Sequence, residues 1–96
     1  MVVYLVQCSV CEDGSNEHYI EGIFNNIESA RKKMKSEFEI DAYSEHGVIS
    51  QCFEEGIFQP QSDEDYCEIR ENSISLYSMW DYMQYNIWIE AVEVED

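Results

Sequence analysis

The sequence predicts an α+β domain: an antiparallel sheet of about four strands with one main helix packed on one face, in the order β-β-α-β-β. Three observations carry that expectation. Stretches near both ends are apolar or alternating at strand length, residues 27–38 place apolar side chains at helical spacing, and a short polar turn joins the first two strand-like stretches.

Val2 to Val10 is an apolar, β-branched run, followed by the polar cluster Glu12-Asp13-Gly14-Ser15-Asn16. Residues 18–24, His-Tyr-Ile-Glu-Gly-Ile-Phe, again suit a strand, so the short connection makes an antiparallel hairpin. Gly22 inside it signals a bulge or a close approach. Asn25 or Asn26 then offers a side-chain oxygen to cap a helix over roughly 26–39, with Glu28 at capping-box spacing from Asn25 and near the positive end of the helix dipole. Ile27, Ala30, Met34 and Phe38 form one apolar stripe for packing on the sheet.

From 41 to 72, Gly47, Gly56 and Pro60 punctuate short apolar pieces, Val48–Phe53 and Ile57–Phe58, and the reading is loops and short strands. Glu55-Gly56-Ile57-Phe58 repeats Glu21-Gly22-Ile23-Phe24, but the flanks differ and imply no duplicated unit. Asp63-Glu64-Asp65 reads as a charged turn. Residues 73–79 alternate, with Ile74 and Leu76 toward the core. Tyr85 to Val94 alternates more strongly, with Ile87, Ile89 and Ala91 on one side and Trp88, Glu90, Val92 and Val94 on the other. This last strand is expected to end the sheet. The connection before it, Trp80-Asp81-Tyr82-Met83-Gln84-Tyr85, is unusually aromatic.

At 96 residues the chain is a single domain, 1–96, and its 45% hydrophobic and 14% aromatic content excludes a disordered acidic tail. The N-terminus has no positive leader region, and its apolar run is far shorter than the roughly 20 residues of a membrane span. The expectation is a soluble, cytoplasmic protein with no membrane partner. That location favours free thiols at Cys8, Cys11, Cys52 and Cys67.

Cys8-Ser-Val-Cys11 has the spacing of a metal knuckle or redox pair. The further ligands it would need, among Cys52, Cys67, His18 and His46, are scattered singly, and the pair precedes acids that raise a thiol pKa. A small zinc-binding domain is therefore an alternative only, and no metal or cofactor is expected. There is no nucleophile elbow, no phosphate-cradling glycine loop and no calcium loop, so the chain reads as non-enzymatic.

Charge is the strongest functional signal. The chain holds 21 acids against five Lys and Arg, a net charge of −16. Four of the bases, Arg31, Lys32, Lys33 and Lys35, sit together on the helix, whereas residues 37–96 carry 16 acids and the single base Arg70. Such a field repels phosphate and excludes direct nucleic-acid binding; it points to a basic nucleic-acid-binding protein or ribonucleoprotein as the partner. Glu54, Glu55, Asp63, Glu64, Asp65, Glu68 and Glu71 form the densest acidic segment, the candidate binding face. Trp80 and Tyr82, with Asp81 between them, and Tyr85 beyond are candidate aromatic anchors.

In size, intense negative charge, compact α+β pattern and lack of a catalytic signature, the chain resembles the small phage-borne inhibitors known as DNA-mimic or anti-CRISPR proteins. The resemblance is one of class, carried by the charge distribution of residues 37–96. It implies an inhibitor that fills the nucleic-acid channel or target-recognition site of a Cas effector or another defence protein. A different class, a regulatory or assembly subunit that adds an edge strand such as Tyr85–Val94 to a partner's sheet, is the main alternative.

Overall fold

A computed structural model describes residues 1–79 and 82–95. Two long strands open the chain, β1 (Val2–Glu12) and β2 (Ser15–Phe24), and helix α1 (Ile27–Tyr43) follows. A short 3-10 turn (Ser50–Cys52) leads into a small hairpin of β3 (Phe53–Glu54) and β4 (Ile57–Phe58). Then come β5 (Tyr66–Ile69), β6 (Ser73–Ser78) and β7 (Met83–Glu93). The main sheet has five strands in the order β2-β1-β7-β6-β5, every neighbouring pair antiparallel, and β3-β4 forms a separate two-stranded sheet. The α+β class, the antiparallel sheet and the helix on one face stand as the sequence predicts. The sheet has five strands where about four were expected.

The first turn is tighter than the expected five-residue cluster. Glu12 pairs with Ser15, leaving Asp13 and Gly14 as a two-residue loop with φ of 43° and 86°. Both values are positive, the backbone that matches the twist of a hairpin and that Asp-Gly adopts readily. Gly22 fulfils both readings made of it. The register slips by one residue opposite Val6 and Gln7, so Glu21 is bulged, and a Cβ on Gly22 would stand 2.7 Å from the Phe24 ring.

Asn26 caps the helix, its side-chain oxygen accepting the Ser29 amide at 2.8 Å. The buried stripe is Ala30, Met34, Phe38 and Ala42, shifted one turn toward the C-terminus from the predicted one, with Ile27 only half-buried. It packs on the same face of the sheet as Val6, Cys8 and Val10 of β1, Ile74 and Leu76 of β6, and Met83, Tyr85 and Ile87 of β7. Helix α1 lies over β2, β1 and β7; Cys52, Phe53 and Phe58 extend the core, with the Phe38 and Phe53 rings edge to face at 5.8 Å.

The placement of β7 corrects one expectation. Far from ending the sheet, it lies at its centre, paired with β1 from Gln84 to Glu93 and with β6 from Met83 to Trp88. Its uninterrupted apolar face suits that position. The edge strand proposed over Tyr85–Val94 is therefore closed on both sides as far as Trp88, residues 90–93 lack a strand partner on the β6 side, and the outermost strands of this sheet are β2 and β5. Among the described residues, no helix is long and apolar enough to cross a membrane.

Candidate functional site

The C-terminal half of α1 carries Glu37, Glu39 and Asp41, and no base occupies its last turn. Carboxylates there face the negative end of the helix dipole, an arrangement that weakens a helix. The next segments add to the same end. Tyr43 packs edge to face on Phe53 at 5.8 Å, which seats the β3-β4 hairpin against the helix terminus. Its turn is Glu55-Gly56, with φ of 52° and 79°, and Glu45 and Glu55 line one shallow depression of about 380 Å³ between helix end and hairpin. The repeated Glu-Gly-Ile-Phe tetrapeptide thus forms a bulged strand once and a turn the second time.

The acidic turn before β5 is fixed by Asp65. Its carboxylate accepts the Gln61 amide at 2.6 Å, the Ser62 hydroxyl at 2.9 Å and the Met79 amide at 2.8 Å. Desolvation acts to raise its pKa, but the amide bonds from Gln61 and Met79 and the Ser62 bond outweigh it and hold the carboxyl below the usual range. By gripping Met79, Asp65 ties the acidic turn to the β6-β7 connection. That brings Asp63 and Glu64 beside the loop bearing Tyr82, which is 66% exposed with φ of 50°.

The seven acids singled out between 54 and 71 do not share one surface. Glu54, Glu55, Asp63 and Glu64 are exposed and form no ion pair among the described residues. Asp65 is a structural clamp. Glu68 is paired with Arg70 and lies on the side of the sheet away from the helix. Glu71 lies beyond the other end of β5, where Arg31 bridges it at 2.9 Å and Glu28 at 3.1 Å. Strand β5 separates the two groups. Tyr85 is fully buried, so it is no surface anchor, and Trp80 and Asp81 lie outside the described residues. Glu45 went unnoticed in the sequence, although the absence of a base after Lys35 in the helix was a legible sign of this negative end.

Cys8 and Cys11 are both on β1, three residues apart, so they point to opposite faces of the sheet. The strand keeps them from meeting at one ion. Burial pushes the Cys8 thiol up to about 12. Its neighbour Tyr85 donates a hydrogen bond to Asp41 at 2.9 Å, and burial followed by the nearby Cys8 and Asp41 pushes the tyrosine up as well. Cys8 and Tyr85 are 3% and 0% exposed, so both are sealed from a substrate. All four cysteines are free thiols.

On the helix, Lys33 pairs with Glu37 at 2.7 Å and Arg31 with two acids, so half of the basic patch is spent on internal carboxylates. No protein-family model, no curated protein and no solved structure matches the chain. The functional reading rests on geometry and charge alone.

Proposed function

We propose that this protein is a non-enzymatic inhibitor that docks its acidic end on the basic surface of a nucleic-acid-binding protein, a Cas effector being the type case, in competition with DNA or RNA. One observation carries the reading. Glu45 and Glu55 line the depression at the negative end of α1, Glu54 adjoins them on β3, and Asp63 and Glu64 stand exposed on the turn that Asp65 clamps, all of them unneutralised by any described cation. Helix dipole and carboxylates repel one another there, so the arrangement lowers stability while it concentrates a negative field. Rigid anchoring by Asp65 and by the Tyr43-Phe53 contact holds the charges in place, which limits the ordering needed on binding. Tyr82, exposed beside the acidic turn, supplies an aromatic contact.

The test is displacement of a fluorescent target duplex from Cas effector ribonucleoproteins. Added protein should release the duplex, the effect should weaken as salt rises, and Glu54→Gln, Glu55→Gln, Asp63→Asn and Glu64→Gln combined should weaken it by about 100-fold. Displacement that ignores both salt and the four substitutions overturns the proposal, as does no displacement from any effector tried.

A further inference from the structure

The side of the main sheet turned away from α1 differs from everything around it. Strand register places Val3 and Leu5 of β1, Ile20 and Ile23 of β2, and Trp88 and Val92 of β7 on this side. Ile20 and Ile23 are 59% and 62% exposed. Of the acids within the strands, only Glu68 and Glu90 point this way, and neither is left alone: Glu68 pairs with Arg70, and Glu90 accepts the Gln7 amide at 2.6 Å. Gln7 itself is 8% exposed although, among the described residues, no helix or further strand packs on this side of β1. Its oxygen meets His18 at 2.8 Å, and the His18 ring stacks on Trp88 at 5.7 Å, so two side chains roof a polar group whose hydrogen bonds are complete.

We infer that this face is an interface with a second copy of the same chain, packed sheet against sheet. Charge argues for a copy. Two molecules of net charge −16 repel wherever carboxylates meet, and on this broad surface the only strand acid without a cation beside it is Glu90. Its strand acids are Glu68, paired with Arg70, and Glu90, whose carboxylate is hydrogen-bonded by Gln7, so little charge selects a charged partner and the apolar part of the face can meet its own copy, as a two-fold interface requires. Area argues the same way. At about 3.3 Å per residue and about 4.8 Å between strands, the five strands make a plane of roughly 650 Å². Side-chain relief brings that near the roughly 800 Å² each partner contributes to a standard interface. Aligned packing of two twisted sheets is an established way to bury such faces.

Sedimentation equilibrium of the full chain at low and high sodium chloride tests the inference. The expected result is a dimer that tightens as salt rises, because screening relieves repulsion between the copies. This sign is opposite to that expected for docking on a basic target, so the two readings fail separately. Ile20→Ser with Ile23→Ser should raise the dissociation constant about 100-fold or more, as four isoleucines leave the interface. Ile57→Ser, on the exposed β3-β4 hairpin, should leave it unchanged. A chain that stays monomeric at every concentration and salt level overturns the proposal. So does a dimer that survives the double substitution or is broken equally by Ile57→Ser.

Discussion

The two faces of the five-stranded sheet solve opposite problems. The covered face holds Val6, Cys8, Leu76, Tyr85 and Ile87 under α1, and carboxylates crowd its margin: Glu21 in the β2 bulge, Glu37 and Asp41 on the helix. The open face holds few acids, and Gln7, Glu90 and His18 on it are hydrogen-bonded to one another. Charge in this protein is therefore sorted, not merely abundant. A chain acidic only for solubility has no reason to spare one broad surface, whereas a chain with two tasks, docking on a basic partner through its acids and on its own copy through the open face, does.

The largest test of this contrast is packing. Ile87 is fully buried beneath the helix, and Ile87→Ala should destabilise the fold by about 2–5 kcal/mol. Ile20, 59% exposed on the open face, should lose no more than about 1 kcal/mol as Ile20→Ala in the monomer, since most of its surface stays in water on folding. Urea unfolding measures both. Equal losses would mean that the open face is itself a closed core, and the distinction drawn between the faces would go.

Cysteine chemistry probes the same division without altering the fold. Cys11 sits half-buried on the open side while Cys8, three residues away, lies inside with its thiol pushed up to about 12. A disulfide reagent should modify Cys11 about 100-fold faster than Cys8, whose thiolate forms only when the sheet opens. Mass spectrometry of the labelled peptides reads the ratio. Similar rates would contradict the assignment of the two residues to opposite faces.

Much of the fold was written in local pattern. The hairpin of β1 and β2, the helix and its cap at Asn26, and strands β6 and β7 all follow from alternation, helical spacing and turn chemistry. What could not be read was pairing at a distance. β7 sits at the centre because it pairs with β1, about eighty residues away, and nothing local encodes that neighbour. β5 is four residues long, too short for alternation to show, and is defined by β6 and by the Asp65 clamp. The acidic segment suffered from the same blindness. Glu54, Glu55, Asp63 and Glu64 emerge as exposed acids, but sequence proximity could not reveal that Arg31, forty residues earlier, neutralises Glu71, or that Asp65 is committed to backbone amides. The open face was half legible: Trp88, Glu90 and Val92 were assigned to one side of the last strand, and only the sheet order showed which side the helix leaves bare.

Salt should separate global charge from local pairing. With −16 on the chain, added sodium chloride should raise the midpoint of thermal unfolding in a folded monomer such as the Ile20→Ser, Ile23→Ser variant, since the Debye length shrinks to about 8 Å near physiological ionic strength. The variant with four acids of the helix-end cluster neutralised should respond less to salt and start from a higher midpoint. An unchanged salt response in that variant would show that repulsion is spread over the whole surface and that the acidic end is no special source of strain.

The smallest effect expected lies at the margin of the covered face and is a matter of sign. Asp41 and Glu21 both have raised pKa values: desolvation is the leading cause in each, with Glu37 adding repulsion. The Tyr85 hydroxyl partly offsets this at Asp41 by donating a hydrogen bond to the carboxylate. A carboxyl whose folded pKa lies above its unfolded value binds its proton more tightly when folded. Its contribution to stability is then fully present below the unfolded pKa and is lost as pH rises through the folded one. These two groups should therefore make the domain more stable on mild acidification from neutrality, until Asp65, whose pKa is shifted the other way, gains its proton and the clamp on Gln61 and Met79 weakens. Asp41→Asn keeps an acceptor for Tyr85 and removes the charge, so it should raise stability at neutral pH and flatten the rise on acidification. Urea titrations across the acid range check this. If Asp41→Asn lowers stability at neutral pH, the carboxylate is needed there as an anion, and the sheet margin is held together by its charge instead of being strained by it.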